Sequence, residues 1–335
     1  MLAVLGRLLR ATAALVALFA AGAPARSAEV RIGVGYGLAF LPIYLCEDLK
    51  LVEKYGKAAH LDLRLSYQRV LGAGPLLEAM AAGKIDMGPF GTAPLLAQWE
   101  QGRGTRRQLI AVSGVTTLPL VLLANRPGLR TIGDLQPADR IAIPTATAPQ
   151  HYLLQMQAEK VFGQYDRLRG QTVVMPPSEA VTALLESGTG APAAYFASPP
   201  YTEIALEDGR IHKVLSSADV IGGKSSFLIM AATSGYVKTR PALPEAIGRA
   251  LEEAAHIIHD DPHRAALIYL DHEPSKTMDA AAVEAVIDDV KDEFGRAVHG
   301  VQAFADFMGR HGELKKPPQS WKDIVAPALL DSPSS

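Results

Sequence analysis

The chain has 335 residues, 48% of them hydrophobic and 20% charged, with 33 Lys and Arg against 35 Asp and Glu. That length suits about two domains, and the composition is that of a globular protein able to bury a core. An aromatic content of 6% excludes a broad base-stacking surface, and a net charge of −2 excludes a global pull on nucleic acid or anionic lipid.

Arg7 and Arg10 precede an apolar run over residues 11–21, and the small-residue stretches Ala23-Pro24-Ala25 and Ala25-Arg26-Ser27 follow. This is the pattern of a secretory signal peptide, residues 1–27. The run is about half of the roughly 20 residues that span a bilayer. It carries no nearby cysteine for lipid attachment and no twin-arginine pair. Removing it leaves 30 cations against 35 acids, a net charge of −5. Cys46 is the one cysteine, so no intrachain disulfide is possible, and it reads as a small buried apolar residue in a helix.

Strand-like and helix-like segments then alternate. Residues 30–34 read as a strand and 42–54 as a helix with apolar Ile43, Leu45, Cys46, Leu49 and Val52. Residues 61–67 alternate as a strand does. Residues 75–82 form a helix between Pro75 and Gly83. A strand over 85–87, a helix over 93–101 and a strand over 108–113 complete a βαβα series, which predicts mainly parallel sheet flanked by helices. An apolar strand over 117–125 leads to a second series: a short helix at 132–135, strands at 140–143, 172–175 and 193–196, and helices at 148–162, 178–186 and 200–208. Residues 225–233 are apolar and extended. Everything after them is helical: 244–258, 262–270, 278–294 and 300–311. The tail has no sheet of its own, so it is expected to pack on the first unit. This gives a two-lobe α/β arrangement: lobe 1 from 28–120 with 230–335, lobe 2 from 121–229. The crossings are at 118–124 and 227–233.

Ligands of open parallel sheets bind beyond the carboxyl ends of the strands. Five such ends are small, hydroxylic or rich in Gly and Pro: residues 35–42, 68–75, 88–92, 144–150 and 197–200. Most lead straight into a helix, whose free N–H groups and partial positive charge can hold an anion. Each loop alone is equally an ordinary turn or cap; the recurrence carries the reading. Gly33-Val34-Gly35-Tyr36-Gly37 fails the dinucleotide fingerprint because Leu38 stands at the last glycine position. Arg69 is the only cation near a predicted strand end, and it reads either as a bidentate anion clamp or as a solvated surface arginine.

The stretches GYGLAFLPIYLCEDLKLVEKYG, GAGPLLEAMAAGKIDMGPFGTAP and PPSEAVTALLESG with AYFASPP resemble the periplasmic substrate-binding proteins of ABC importers, in the nitrate/sulfonate/taurine branch. The second lobe departs from that pattern, since residues 188–194 lack the usual Asp. The resemblance, which covers roughly residues 31–273, implies the Venus-flytrap fold: two lobes closing on a small ligand, with a helical C-terminal tail. It implies cleft contacts at Tyr36, Gly37, Leu38 and Phe40, at Gly72 and Gly74, and at Gly91 and Thr92. It also implies Thr145, Thr147, Tyr195 and Ser198, with Ser225 and Ser226 before the return strand.

The strand ends show hydroxyls, glycines and aromatics but no acid, which suits a small organic anion such as a sulfonate, nitrate or carboxylate. His256, His259, Asp260 and His263 fall close together, but the capped boundary at Asp260-Asp261-Pro262 reads as helix punctuation, not as a metal site. No nucleophile elbow or metalloprotease motif is present. One enzyme of this fold, the pyrimidine synthase of thiamine biosynthesis, carries a cysteine-rich signature that a lone Cys46 cannot supply. The expectation is therefore a monomeric periplasmic solute-binding protein that delivers its ligand to an ABC permease in the inner membrane, without cofactor, metal, catalysis or nucleic acid. A secreted enzyme and a ligand sensor for a membrane receptor are the alternatives.

Overall fold

The structure, a computed structural model, describes residues 28–186, 188, 190–331 and 334; the expected signal peptide lies outside the described residues. Two five-stranded sheets are flanked by thirteen helices among the described residues. The first half of the chain runs β1 (Ala28–Val34), α1 (Leu41–Asp48), α2 (Leu51–Ala58), β2 (Leu63–Arg69), α3 (Ala73–Ala81), β3 (Met87–Phe90), α4 (Thr92–Gln101) and β4 (Leu109–Thr116). The chain then crosses to β5 (Val121–Ala124), β6 (Ile141–Ile143), α5 (Pro149–Phe162), β7 (Thr172–Val174), α6 (Pro177–Glu186), β8 (Ala194–Ala197), α7 (Tyr201–Leu206), β9 (His212–Ser216) and α8 (Ser217–Ile221). It returns through β10 (Leu228–Thr233) to α9 (Ser234–Thr239), α10 (Leu243–Asp260), α11 (Pro262–His272), α12 (Ala280–Val290) and α13 (Val301–Arg310).

The first sheet has the order β2-β1-β3-β10-β4 and the second β7-β6-β8-β5-β9. The two orders are the same pattern. In each, two βα steps give parallel pairs, and a strand arriving from the other unit inserts antiparallel. Both sheets are therefore mixed. The crossings are shorter than the sequence suggested, because Val121–Ala124 and Leu228–Thr233 are laddered into sheets and only residues 117–120 and 222–227 pass between them.

The helix expected over 42–54 is two helices. Lys50 turns left-handed at φ 53 and ends the first. The stretch Gly88-Pro89-Phe90, expected as loop, is strand. Its ladder with β1 reaches only Met87, so the missing N–H of Pro89 removes no hydrogen bond on that side.

Helix α10 shows why the tail docks where it does. Ile247, Leu251, Ala254, Ala255 and Ile258 make one buried stripe at helical spacing. That stripe joins Leu41, Leu45, Val52, Val112 and Met230 in one core on sheet A, the first sheet. Each fully buried Leu or Ile contributes about 1.5–3 kcal/mol. A second core mixes both units: Phe90 and Leu96 with Leu153 and Phe196, sealed by Phe304 and Phe307 of α13. No helix among the described residues is long and apolar enough to cross a membrane.

Candidate functional site

The parallel strands β1, β2 and β3 end on one side of sheet A, and two groups of side chains gather there. The first forms around the loop after β1. Gly37 has φ 100, a left-handed conformation that favours glycine, and its N–H donates to Glu273 Oε1 at 3.0 Å. The Tyr44 hydroxyl donates to the same oxygen at 2.6 Å and accepts from Arg69 Nη1 at 2.6 Å. Arg69 Nη1 also donates to Gly35 O at 2.5 Å and lies 3.4 Å from Glu273 Oε1. Its Nη2 donates to His272 O at 3.4 Å and lies 3.1 Å from His272 Nδ1. The guanidinium sits over the rings of Tyr36 and Tyr44, at 5.1 and 4.4 Å. Tyr44 in turn stacks on His272, whose Nε2 is 3.0 Å from Asp48. Burial, then the neighbouring Glu273, pushes the Tyr44 phenol well above its ordinary range.

Arg69 is thus neither of the two things its sequence position suggested. Its side chain is only 28% exposed, and its Nη1 and Nη2 groups face protein acceptors. The expectation of no acid near the strand ends is also corrected. Glu273 follows α11, far along the chain, and folds back onto the β1 loop. It also reaches toward the second unit: Tyr201 of α7 feels its charge, after burial, and Ile204 of α7 packs on the sheet A core.

The second group forms where two helices begin. Gly91 caps α4, and a Cβ placed on it would come within 2.7 Å of Pro149 Cγ at the start of α5. The helix starts of the two units therefore touch. Neither Gly91 nor Ala148 provides a side-chain cap, nor do Gly72 and Pro200 after two other strand ends. Thr131, Ser216, Thr233, Asp261, Asp279 and Ser320 do cap helices elsewhere. The starts at Lys50, Ala242 and Gly300 are uncapped as well, so the feature gains meaning only where two starts converge. Beside the junction, Gln150 is 2% exposed and its Oε1 has no hydrogen-bond partner, like Nδ1 of His151. Burial, followed by Arg169, lowers the affinity of His151 for a proton and favours its neutral form.

The remaining expected residues divide. Thr92 is fully buried and donates to Ser226 O at 2.9 Å, while Ser226 Oγ accepts from the His299 N–H at 3.0 Å. These hydroxyls tie the return crossing to α4. Ser225 packs against Gly300, where an added Cβ would be 2.7 Å from its own Cβ. Leu38 and Tyr195 lie wholly in the cores, so their side chains are packing residues, not cleft contacts. Tyr36 is exposed, and Phe40 lies against the bare backbone of Gly35. Gly72 (φ 84) and Gly74 sit in an exposed loop before and at the start of α3. The Thr145 and Thr147 hydroxyls stand 3.5 Å apart, and Ser198 O accepts from the Tyr201 N–H at 2.9 Å. Of the histidines considered for a metal, His259 pairs with Asp260 and Asp292 and His263 with Glu284, at the surface. No group of three or more potential ligands able to hold a metal occurs among the described residues. The residues the sequence reading missed are Tyr44, Gln150, His272 and Glu273.

The fold is shared with solved structures. The periplasmic aliphatic sulphonate binding protein SsuA from Escherichia coli is 18% identical, with a TM-score of 0.68 over 90% of this chain and 98% of that one. The alkanesulfonate-binding protein SsuA from Xanthomonas axonopodis pv. citri, bound to MOPS, is 21% identical, with a TM-score of 0.68 over 91% and 98%. The periplasmic nitrate-binding protein NrtA from Synechocystis is 14% identical, with a TM-score of 0.58 over 89% and 84%. No protein-family model and no curated protein matches the sequence. The chain has the two-lobe fold of the periplasmic binding proteins, and these solved neighbours come from the sulfonate and nitrate branch that its sequence resembles.

Proposed function

We propose that this chain is the periplasmic solute-binding component of an ABC-type import system. It captures a small organic anion between lobe 1, residues 28–120 with 230–335, and lobe 2, residues 121–229, and hands it to the permease. The observation that carries this reading is the meeting of two uncapped helix starts from different sheets, at Gly91 and Pro149. Each helix start carries about half a positive charge; at α5 the Gln150 N–H is the donor left, because Pro149 has none and the His151 N–H donates to Ala148 O at 3.0 Å. An anion seated there draws on both units at once, so its binding energy favours the closed arrangement. Arg69 contributes position, not net charge, because Glu273 balances it. The sulfonate and nitrate ligands named for the solved neighbours support the ligand class.

The test is a thermal-shift panel of sulfonates, nitrate, bicarbonate, carboxylates and phosphonates, paired with native mass spectrometry. The expected result is one class that raises the melting temperature and is recovered chemically unchanged. Chemical turnover of a bound compound would replace this reading with an enzyme. A panel without any shift or copurifying ligand would remove the anion argument.

A further inference from the structure

At the opposite end of sheet A cations outnumber acids. Strand β4 runs parallel to β3, since both pair antiparallel with β10, so the amino end of β4 lies away from the helix junction. There the loop before β4 carries Arg103, Arg106 and Arg107, and the tail beyond α13 carries Lys315, Lys316 and Lys322. Arg103 donates to Lys316 O, which joins the two segments. The Ser234 and Gly235 N–H groups donate to Gln108 O and Arg106 O, which joins α9 to the same pole. All six side chains are exposed, and none takes part in an ion pair among the described residues. Elsewhere some cations are matched, as Arg31 is with Asp86 at 2.7 Å and Lys54 with Glu253 at 2.7 Å, and others such as Lys50 and Lys57 are in no ion pair among the described residues; what sets the pole apart is the gathering of six on two segments that are tied together.

Three acids lie nearby against the six cations: Glu100, Asp306 and Asp323. Glu100 accepts from the N–H groups of Lys315 and Lys316, and Asp323 from those of Gln319 and Ser320. The pole keeps a positive excess on a chain whose total charge is negative.

We infer that this pole is a docking surface for an anionic lipid membrane. The six cations reach solvent from two chain segments, and only Arg103 and Lys316 line a common groove. They therefore match a charge density and not a shape, which suits a plane of phosphate headgroups. The groove beside them, about 980 Å³, is lined by Asp306 and Asp323 as well as Arg103 and Lys316, so it favours no acidic peptide. Trp321, half-buried against the second core, lies among the cations with Lys322 Nζ 5.8 Å from its ring, and its exposed edge is of the kind found at headgroup depth. Bound this way, the pole holds the lipid while the helix junction, at the other end of the sheet, stays open to solvent.

The test is cosedimentation of the chain, recovered as processed after export, with phosphatidylcholine vesicles containing or lacking about 30 mol% phosphatidylglycerol. The expected result is partition onto the anionic vesicles at about 50 mM salt, release at about 500 mM, and none onto neutral vesicles. The triple variant Arg106→Gln, Arg107→Gln, Lys322→Gln should weaken partition about 100-fold, at roughly fivefold per cation. A second triple, Lys50→Gln, Lys57→Gln, Arg64→Gln, changes net charge equally at exposed positions elsewhere and should leave partition unaltered. All three proteins share one N-terminus, so differences report the pole. Equal losses in both triples, or no partition by the parent chain, overturn the inference. Binding to soluble polyglutamate with none to vesicles would overturn it in favour of an acidic protein partner.

Discussion

Replacing Arg69 by Met separates a structural role from a ligand-clamping one. At 3.4 Å and an effective dielectric near 20, the Arg69–Glu273 attraction is about 5 kcal/mol before desolvation and side-chain ordering are subtracted. Exposed pairs retain about 0.2–1 kcal/mol, and breaking a fully buried pair costs about 3–5. With side chains 28% and 18% exposed, this pair lies between, so Arg69→Met is expected to destabilise by about 2 kcal/mol. For a chain of this size that lowers Tm by about 4 °C. Glu273→Gln should cost a similar amount. The double variant should lose less than the sum, because each single change strands the other group. A coupling energy of about 1 kcal/mol from urea unfolding of the four proteins would express that. Arg69→Met with unchanged Tm but no ligand-induced shift would refute the structural account and restore the clamp.

Three other outcomes follow from close packing and burial. Gly91→Ala places a methyl 2.7 Å from Pro149 Cγ; if the units close on ligand at that junction, affinity should fall about tenfold in a thermal-shift titration, and an unaltered titration would place the ligand elsewhere. Gly114→Ala sets a Cβ 2.1 Å from the backbone oxygen of Ala297, which no side-chain rotation relieves, so a loss above about 3 kcal/mol is expected by urea denaturation. Glu203 is held by burial above the ordinary carboxyl pKa, and its Oε2 has no partner. A raised carboxyl pKa means stability present below the unfolded value and lost as pH rises through the folded one. Glu203→Gln should therefore stabilise by about 1 kcal/mol at pH 7, and the gain should vanish below about pH 4.5. A gain independent of pH would contradict that sign.

Much of the architecture was legible locally. Apolar periodicity located α5 and α10, and the Pro and Gly that bracket α3 gave its position to within two residues. What failed were features that depend on distant partners. Strand β9 is short and half-polar, and its place comes from pairing with β5, which its own residues do not announce. The break at Lys50 has no composition signal because it uses a left-handed lysine. At the site, loop positions were readable but side-chain directions were not. Leu38 and Tyr195 fall at the right ends of the right strands and point into the cores. Thr92 and Ser226 have the right chemistry for a ligand, yet as buried polar groups they found partners within the fold. Glu273 could not be found at all, since what makes it part of the site is a hydrogen bond to Gly37 from the far end of the chain.

The late insertion of β10 between β3 and β4 has a consequence for how the chain folds. All strands of the second sheet lie within one continuous stretch, from Val121 to Ser216, so that sheet can assemble from local segments alone. Sheet A cannot. Strand β4 has no partner until Leu228–Thr233 arrives, because it pairs with β10 and not with β3. Closing so long a loop is entropically expensive, so this step is expected to be slow relative to the contiguous unit. Pulsed hydrogen exchange during refolding would then protect β5, β6 and β8 before β4. A nascent chain ending ahead of Leu228 would hold a finished second lobe beside an open first one.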